Sequence, residues 1–142
     1  MSGNSNSGFW LRAASSDNEL IRDRASGNGG QGLSFDDGSN ANMLRGSLAS
    51  GNGGNGGNVY HADANRFIHG RFVDNDAHGI GVDGSSGTTI SLSVMTGNDI
   101  GVEVHASAAI ALDANLARGN RQAGFIIVES SVTNPMMPLD LF

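Results

Sequence analysis

The sequence contains no cysteine and no lysine, and only two prolines among its 142 residues. The lack of cysteine excludes a disulfide framework, a thiolate metal site and a cysteine nucleophile. No apolar run approaches the roughly 20 residues that span a bilayer, which predicts a soluble protein with no membrane partner. Residues 1–7 lack the basic and apolar regions of a signal peptide. We therefore expect a protein that acts inside the cell, or a mature or excised piece of a longer one.

Charged residues are also scarce, at 15%, and they sum to a net charge of −6. This acidic balance predicts that the protein does not bind nucleic acid indiscriminately. Glycine, in contrast, accounts for 22 residues, and serine and asparagine are abundant. Such a composition is rich in turn formers and poor in helix formers, so it excludes a bundle of long helices.

Asparagine and glycine recur along the chain with a period of 22 to 25 residues. The asparagines are Asn28, Asn52, Asn75, Asn98 and Asn120, and the glycines are Gly8, Gly32, Gly57, Gly79, Gly101 and Gly124. In the third repeat Gly56 fits the glycine series as well as Gly57 does. Asparagines stacked at a corner bond one another's amides, so we interpret these five as structural.

Each glycine of the series precedes a short alternating segment, which is the signature of a half-buried strand. The first and third positions after the glycines are apolar or aromatic in every case but Asn58, and Tyr60 is among the residues expected to point inward. A second strand in each repeat is marked by Ile21, Leu44, Ile68, Ile90 and Leu112. Four residues further along stand Ala25, Leu48, Phe72, Val94 and Leu116.

These patterns predict an all-β fold, a right-handed parallel β-helix of about six rungs, each rung being one turn of the coil. The rungs begin near residues 8, 32, 57, 79, 101 and 124 of a single domain, 1–142, and residues 134–142 form a C-terminal cap. The first rung has no comparable cover, so the alternatives are that a partner chain covers it, that the chain self-associates through it, or that the sequence begins inside a longer solenoid. A leucine-rich repeat is excluded because its leucine signature is missing. The calcium-binding nonapeptide fails at Ser34, so calcium has no motif and no cofactor is expected.

The pattern resembles the right-handed parallel β-helix repeat proteins, which include pectate lyases, copper-site nitrous-oxide accessory proteins and mannuronan C-5 epimerase catalytic modules. Residues 75–82, followed by Gly97 and Asn98, are similar to a rung of the epimerase modules. The resemblance covers the chain from Gly8 to about Thr133. It implies a carbohydrate-active protein, an extracellular location and functional groups on an outer face of the coil.

One outward column contains groups for acid–base chemistry. The fourth positions after the glycines are Arg12, Asp36, His61, Asp83, His105 and Val128. Stacking at about 4.8 Å would bring Asp36 against His61, His61 against Asp83, and Asp83 against His105. The catalytic stretch of the epimerase modules resembles Tyr-Gly-Phe-Asp-Pro-His, and the resemblance places His61 and Asp83 in the columns of its histidine and of a later aspartate. The alternative is an exposed ladder whose alternating charges avoid like-charge stacking.

A second outward stripe is basic. Arg22, Arg45 and His69 follow the second-strand core positions by one residue, and Arg24 and Arg71 by three. Arginine forks suit carboxylates or sulfates on a sugar polymer. The alternative is a solvated face whose arginine stems cover the sheet. No metal site is expected, because alternate members of the acid–base column lie about 9–10 Å apart.

The favoured hypothesis is a protein that acts on or binds a uronate-containing polysaccharide, as a lyase or C-5 epimerase if it is an enzyme. His61, Asp83, Asp36 and His105 are the candidate catalytic residues. Arg22, Arg24, Arg45, His69 and Arg71 are the candidate substrate-binding residues. The alternatives are a non-catalytic scaffold or adhesion module, and a fragment of a longer β-helix.

Overall fold

The computed structural model describes residues 1–133, and these residues form an all-β parallel coil. Seventeen strands fall into three parallel sheets of six, six and five strands, so the coil has five complete rungs and part of a sixth. The predicted parallel β-helix of about six rungs is confirmed. Residues 1–133 contain no helix long and apolar enough to cross a membrane. The predicted cap, 134–142, lies outside the described residues.

Each complete rung contributes one strand to each sheet, in the order I, II, III, and the sixth contributes strands to sheets I and II. Sheet I contains β1 (Phe9–Leu11), β4 (Leu33–Asp36), β7 (Gly57–Tyr60), β10 (His78–Asp83), β13 (Ile100–His105) and β16 (Ala123–Val128). Sheet II contains β2 (Glu19–Ile21), β5 (Met43–Arg45), β8 (Arg66–Ile68), β11 (Thr89–Ser91), β14 (Ile110–Asp113) and β17 (Val132–Thr133). Sheet III contains β3 (Arg24–Ser26), β6 (Leu48–Ser50), β9 (Arg71–Val73), β12 (Val94–Thr96) and β15 (Leu116–Arg118).

The interior of the coil is apolar, as the alternation predicts. Ile80 pairs with Val102 across neighbouring rungs, and both side chains are fully buried. Larger side chains occupy the middle of the coil, where the Phe67 ring lies 5.6 Å from Phe35 and 5.9 Å from Phe72. Burial of these stacked side chains is the main favourable contribution to folding.

Asparagine ladders line the corners, which confirms their structural interpretation. The main ladder starts at Asn4 and continues through the five predicted asparagines to Asn120. At each step a side-chain amide donates to the carbonyl oxygen of the next asparagine, as between Asn28 Nδ2 and Asn52 Oδ1 at 2.8 Å. A second ladder, unforeseen from the sequence, joins Asn18, Asn42 and Asn65. The main ladder satisfies buried amides that would otherwise be costly, whereas Asn65 Nδ2, at the end of the second ladder, has no hydrogen-bond partner among the described residues.

The predicted register of the third rung is wrong by one residue. Gly57, not Asn58, pairs with Leu33 and Ile80, so Gly56 takes the place in the glycine series. The physical reason is interior volume: a Cβ on Gly57 would lie 2.8 Å from a ring carbon of Phe67 and 3.0 Å from one of Phe72. Only glycine fits inward beside these two rings.

The core positions of sheets II and III also differ from the prediction. Leu20 and Phe67, not Ile21 and Ile68, point inward in sheet II. In sheet III the inward residues are Ala25, Ala49, Phe72, Met95 and Ala117, so Leu48, Val94 and Leu116 are wrong. From sheet II to sheet III the inward positions are five residues apart. The reason is that one residue at the corner between these sheets takes a left-handed conformation, such as Arg22 at φ 56°. That turn shifts the inward–outward alternation by one residue, so the inward side chains of sheet III come one residue later than strict alternation predicts.

The N-terminal residues lie beside the first strand of sheet III. The terminal amine of Met1 donates to the carbonyl of Arg24 at 2.7 Å, and Ser2 bridges to Ser26. Part of the first rung is therefore covered by the chain itself, which the sequence prediction had not foreseen. The outer side chains Trp10 and Ile21 of β1 and β2 stay 45% and 51% exposed.

Candidate functional site on sheet I

The outward face of sheet I contains the acid–base column in a corrected form. Asp83 pairs with His105 on one side and with Tyr60 on the other. The column is therefore Arg12, Asp36, Tyr60, Asp83, His105 and Val128. Tyr60 is 42% exposed, so the prediction that it points inward is wrong.

His61 lies outside this column, because it is the residue that turns the corner after β7. Its φ is 49°, and its ring stacks on Tyr60 with a centroid separation of 4.1 Å. It packs over Gly84 of the next rung, where an added Cβ would collide with its Cδ2 carbon. The expected stacking of His61 between Asp36 and Asp83 is wrong, and the expected contact between Asp83 and His105 is confirmed.

Asp83 and His105 form the central pair of the site. His105 Nδ1 lies 2.9 Å from Asp83 Oδ1, and both side chains are about half exposed. The hydrogen bond from the imidazole to Asp83 raises the pKa of His105, with a smaller opposing effect of desolvation. With Nδ1 held by the carboxylate, Nε2 is the ring nitrogen free to exchange a proton with a ligand.

A second imidazole–carboxylate pair lies beside the first. His78 Nε2 is 2.9 Å from Glu103 Oε2. His78 is the first residue of β10. Glu103 stands on β13 opposite Gly81, and the side-chain amide of Asn55 occupies the place of a Cβ on Gly81, since that Cβ would lie 2.5 Å from Asn55 Nδ2.

Together these residues enclose a hollow of about 210 Å³ on sheet I. Its lining consists of Asn55, Asn58, Tyr60, His78, Gly81, Val82, Asp83, Glu103 and His105. We name it the sheet I hollow. It brings two imidazoles, two carboxylates, a phenol and two carboxamides to one surface.

Towards the N-terminal rungs, the hollow continues into a polar network. Asp36 accepts hydrogen bonds from Ser34 Oγ at 2.7 Å and from Asn58 Nδ2 at 3.1 Å. Its other oxygen accepts from the indole of Trp10 at 2.6 Å, and the guanidinium of Arg12 lies 4.4 Å from the indole ring. Asp36 therefore holds a half-exposed aromatic ring in place and makes no contact with an imidazole.

The predicted basic stripe divides between two places. Arg22, Arg45 and His69 line one depression at the corner between sheets II and III. Arg24 and Arg71 lie instead on β3 and β9 of sheet III, so the prediction of one continuous basic face is wrong. The division follows from the left-handed residues at the corner, which separate the arginines of the two sheets.

The described part of the chain contains no group of three or more His, Cys, Asp or Glu side chains arranged to share a metal ion. The two imidazoles of the sheet I hollow are each paired with a carboxylate. Met95, a thioether donor, is fully buried in the core. Copper sites use convergent imidazole or sulfur ligands, and within residues 1–133 the His, Cys, Asp and Glu side chains form no such cluster.

Replacement of Asp83 by asparagine is expected to lower the pKa of His105 towards its ordinary value. The hydrogen bond to the carboxylate favours the charged imidazolium, so its loss removes the main cause of the raised pKa. The stabilisation from this pair is complete below pH 6.5 and is lost as the pH rises through the raised pKa of the folded protein. An NMR titration of the His105 ring protons measures the change. Asp113→Asn, on sheet II, is the control and leaves the midpoint unchanged; an unchanged midpoint in Asp83→Asn would contradict the assignment.

Sequence reasoning missed Tyr60, His78 and Glu103. Glu103 is the charged residue between Val102 and Val104, and this alternation was the available signal that it points outward. Tyr60 was obscured by the choice between Gly56 and Gly57. No local signal identified His78, because its partner is 25 residues away.

Comparisons with known proteins agree with this fold. The periplasmic alginate epimerase AlgG superposes with a TM-score of 0.80 at 16% identity, over 90% of this chain and 36% of that structure. The A-module of the Azotobacter vinelandii mannuronan C-5 epimerase AlgE4 gives 0.70 at 17% identity, over 89% of this chain and 48% of that one. The enzymatically active domain of bacteriophage CBA120 tailspike protein 2 gives 0.64 at 13% identity, over 80% and 21%.

The chain thus spans about a fifth to a half of the length of these structures, and at such identities the likeness shows the fold alone. No curated protein matches the chain in sequence. A family model does match it, over residues 1–137, and that model describes the periplasmic copper-binding protein NosD. This match covers nearly the whole sequence, and the chain belongs to the NosD family of parallel β-helix proteins.

Proposed function

We propose that the protein binds a uronate-containing polysaccharide along sheet I and removes the proton at C-5 of the sugar in the sheet I hollow. The observation that carries the proposal is the Asp83–His105 pair, with its 2.9 Å hydrogen bond, on an open face beside Tyr60. The similarity of the fold to alginate epimerases supports a carbohydrate substrate.

The shape of the face suits an extended polymer. Its columns run along the coil axis at about 4.8 Å per rung, from Trp10 in the first rung to His105 in the fifth. The half-exposed rings of Trp10 and Tyr60 offer apolar surfaces for sugar rings. The amides of Asn55 and Asn58 offer hydrogen bonds to hydroxyl groups.

The chemistry requires one group to take the C-5 proton and another to supply a proton. Proton removal leaves an electron pair that delocalises into the neighbouring carboxylate. An epimerase then returns a proton to the opposite face of C-5, whereas a lyase expels the glycosidic oxygen at C-4 and protonates it. His105 exchanges the proton at Nε2, Asp83 fixes the ring, and Tyr60 is the second proton-carrying group.

The family description names copper, but the described residues contain no group of three or more His, Cys, Asp or Glu side chains arranged to share a metal ion. We therefore assign the steps of the proposed reaction to the chain's own side chains.

The proposal is tested by incubating the purified protein with polymannuronate, polyguluronate and polygalacturonate. Proton NMR detects epimerised residues, and ultraviolet absorbance detects the unsaturated uronate that a lyase forms. We expect His105→Gln and Asp83→Asn to lower the turnover rate about 100-fold, the usual size of a general acid–base contribution. Asp113→Asn on sheet II is the matched control and keeps full activity.

Two results would contradict catalysis. One is turnover that is unchanged in His105→Gln. The other is binding of the polymers by the wild-type protein without any turnover; this would favour the alternative function, a non-catalytic binding module whose affinity weakens with salt.

A further inference from the structure

A second surface, at the corner between sheets II and III, has the features of an anion site. It is a depression of about 410 Å³ lined by Ile21, Arg22, Arg45, Gly46 and His69. These residues belong to the first three rungs. The depression lies on other strands than the sheet I hollow and shares no residue with it.

Stacking of successive corners brings the basic side chains together. Arg22, Gly46 and His69 occupy equivalent left-handed positions, with φ values of 56°, 63° and 53°. The amide of Arg22 donates to the carbonyl of Arg45 at 2.8 Å, and the amide of Gly46 donates to that of Ile68 at 2.9 Å. Gly46 has no side chain, so a hollow remains between Arg22 above it and His69 below it.

The walls of this depression consist of two guanidinium groups, an imidazole and apolar atoms. Its lining contains no carboxylate, although the chain as a whole carries a net charge of −6. Within residues 1–133, the ion pairs found involve His78, His105 and Arg121, so Arg22, Arg45 and His69 are not neutralised by an acidic side chain at contact distance. A Cβ on Gly46 would lie 3.6 Å from Arg22 Cγ, so any side chain at position 46 would fill part of the depression.

We infer that this depression binds a phosphate or sulfate group. Two guanidinium groups and an imidazole approach from three rungs, which matches an anion with two charges and several oxygens. A single carboxylate needs only one arginine fork and carries one charge. The same chemistry covers the free anion and a phosphate or sulfate ester on a sugar, and the volume of the depression accommodates either.

The inference is tested by titrating the intact chain with inorganic phosphate, with sulfate and with glucuronate at constant ionic strength. The ring signals of His69 in NMR spectra report binding at the depression. We expect phosphate and sulfate to shift these signals with saturation and glucuronate to bind at least tenfold more weakly. Glucose 6-phosphate and glucose 6-sulfate, compared with the free anions, distinguish an ester from an inorganic ion.

Variants distinguish specific binding of phosphate at this depression from nonspecific electrostatic attraction to the protein. Arg22→Gln and Arg45→Gln are expected to weaken phosphate binding at least tenfold, and Arg45→Lys to weaken it less, because the charge remains but the fork is lost. Arg24→Gln and Arg71→Gln on sheet III are matched controls with the same change of charge, and they leave binding unchanged. Circular dichroism confirms that each variant is folded.

Three results would overturn the inference. They are equal weakening by the sheet III controls, equal affinity for glucuronate and phosphate, and failure of His69 signals to respond. Asp83→Asn in the sheet I hollow is expected to leave phosphate binding unchanged. A failure of the proposed polysaccharide activity is therefore distinguishable from a failure of this anion site.

Discussion

Asn75→Ala is expected to lower the free energy of unfolding by about 3–5 kcal/mol, because it removes the acceptor of two buried donors. Asn75 Oδ1 accepts from the backbone amide of Asn52 at 3.1 Å and from its side-chain amide at 2.8 Å. Its own amide donates to Asn98 and to the carbonyl of Ala49. Both Asn52 and Asn75 are fully buried, so water does not replace these bonds.

The effect is large because the substitution lies in a central rung of the coil. In a solenoid each rung is stabilised by its two neighbours, and a weakened central interface affects both halves. Equilibrium unfolding in urea, followed by circular dichroism, measures the change.

The control for this prediction is the same substitution at the end of the ladder. Asn120 is only half-buried and accepts from Asn98 at 3.1 and 3.3 Å, so water reaches it more easily. Asn120→Ala is expected to cost about 1 kcal/mol. Equal losses at positions 75 and 120 would show that burial of the ladder does not decide its contribution.

Gly79→Ala is the second large effect, with an expected loss of about 3 kcal/mol from overpacking. A Cβ at position 79 would lie 2.6 Å from the carbonyl oxygen of Gly101 and 2.7 Å from Met95 Cγ. The first of these atoms belongs to the backbone of the next rung. It cannot move away without breaking the hydrogen bonds that fix the spacing of the rungs.

Gly27→Ala separates crowding from backbone conformation. Gly27 has a φ of 61°, and no heavy atom lies within 4 Å of a Cβ added there. Alanine at this position therefore costs only the energy of the left-handed backbone conformation, about 1–2 kcal/mol. Thermal and urea unfolding of both variants give the comparison. If Gly27→Ala destabilised the protein more than Gly79→Ala, close approach of the rungs would not be the reason for the glycine series.

The candidate site was predicted only in part, because its residues depend on register. The pairing of Asp83 with His105 follows from the repeat of 22 residues between two well-marked strands. His61 was misplaced because two adjacent glycines fit the series, and the choice between them depends on the volumes of Phe67 and Phe72 inside the coil. Local alternation contains no information about that volume.

The sequence by itself determined the repeat, the all-β class and the parallel stacking, because a period near 23 residues with alternating apolar positions has few other solutions. It also identified the asparagine ladder, whose members occupy one position in each repeat. Only the tertiary structure decided which side chains face the interior after a corner. One left-handed residue at the corner exchanges the inward and outward positions of the strand that follows. The left-handed corner residues gathered Arg22, Arg45 and His69 at one corner and left Arg24 and Arg71 on the neighbouring sheet. The interior volumes of Phe67 and Phe72 placed Tyr60 in the column of Asp83 and His105.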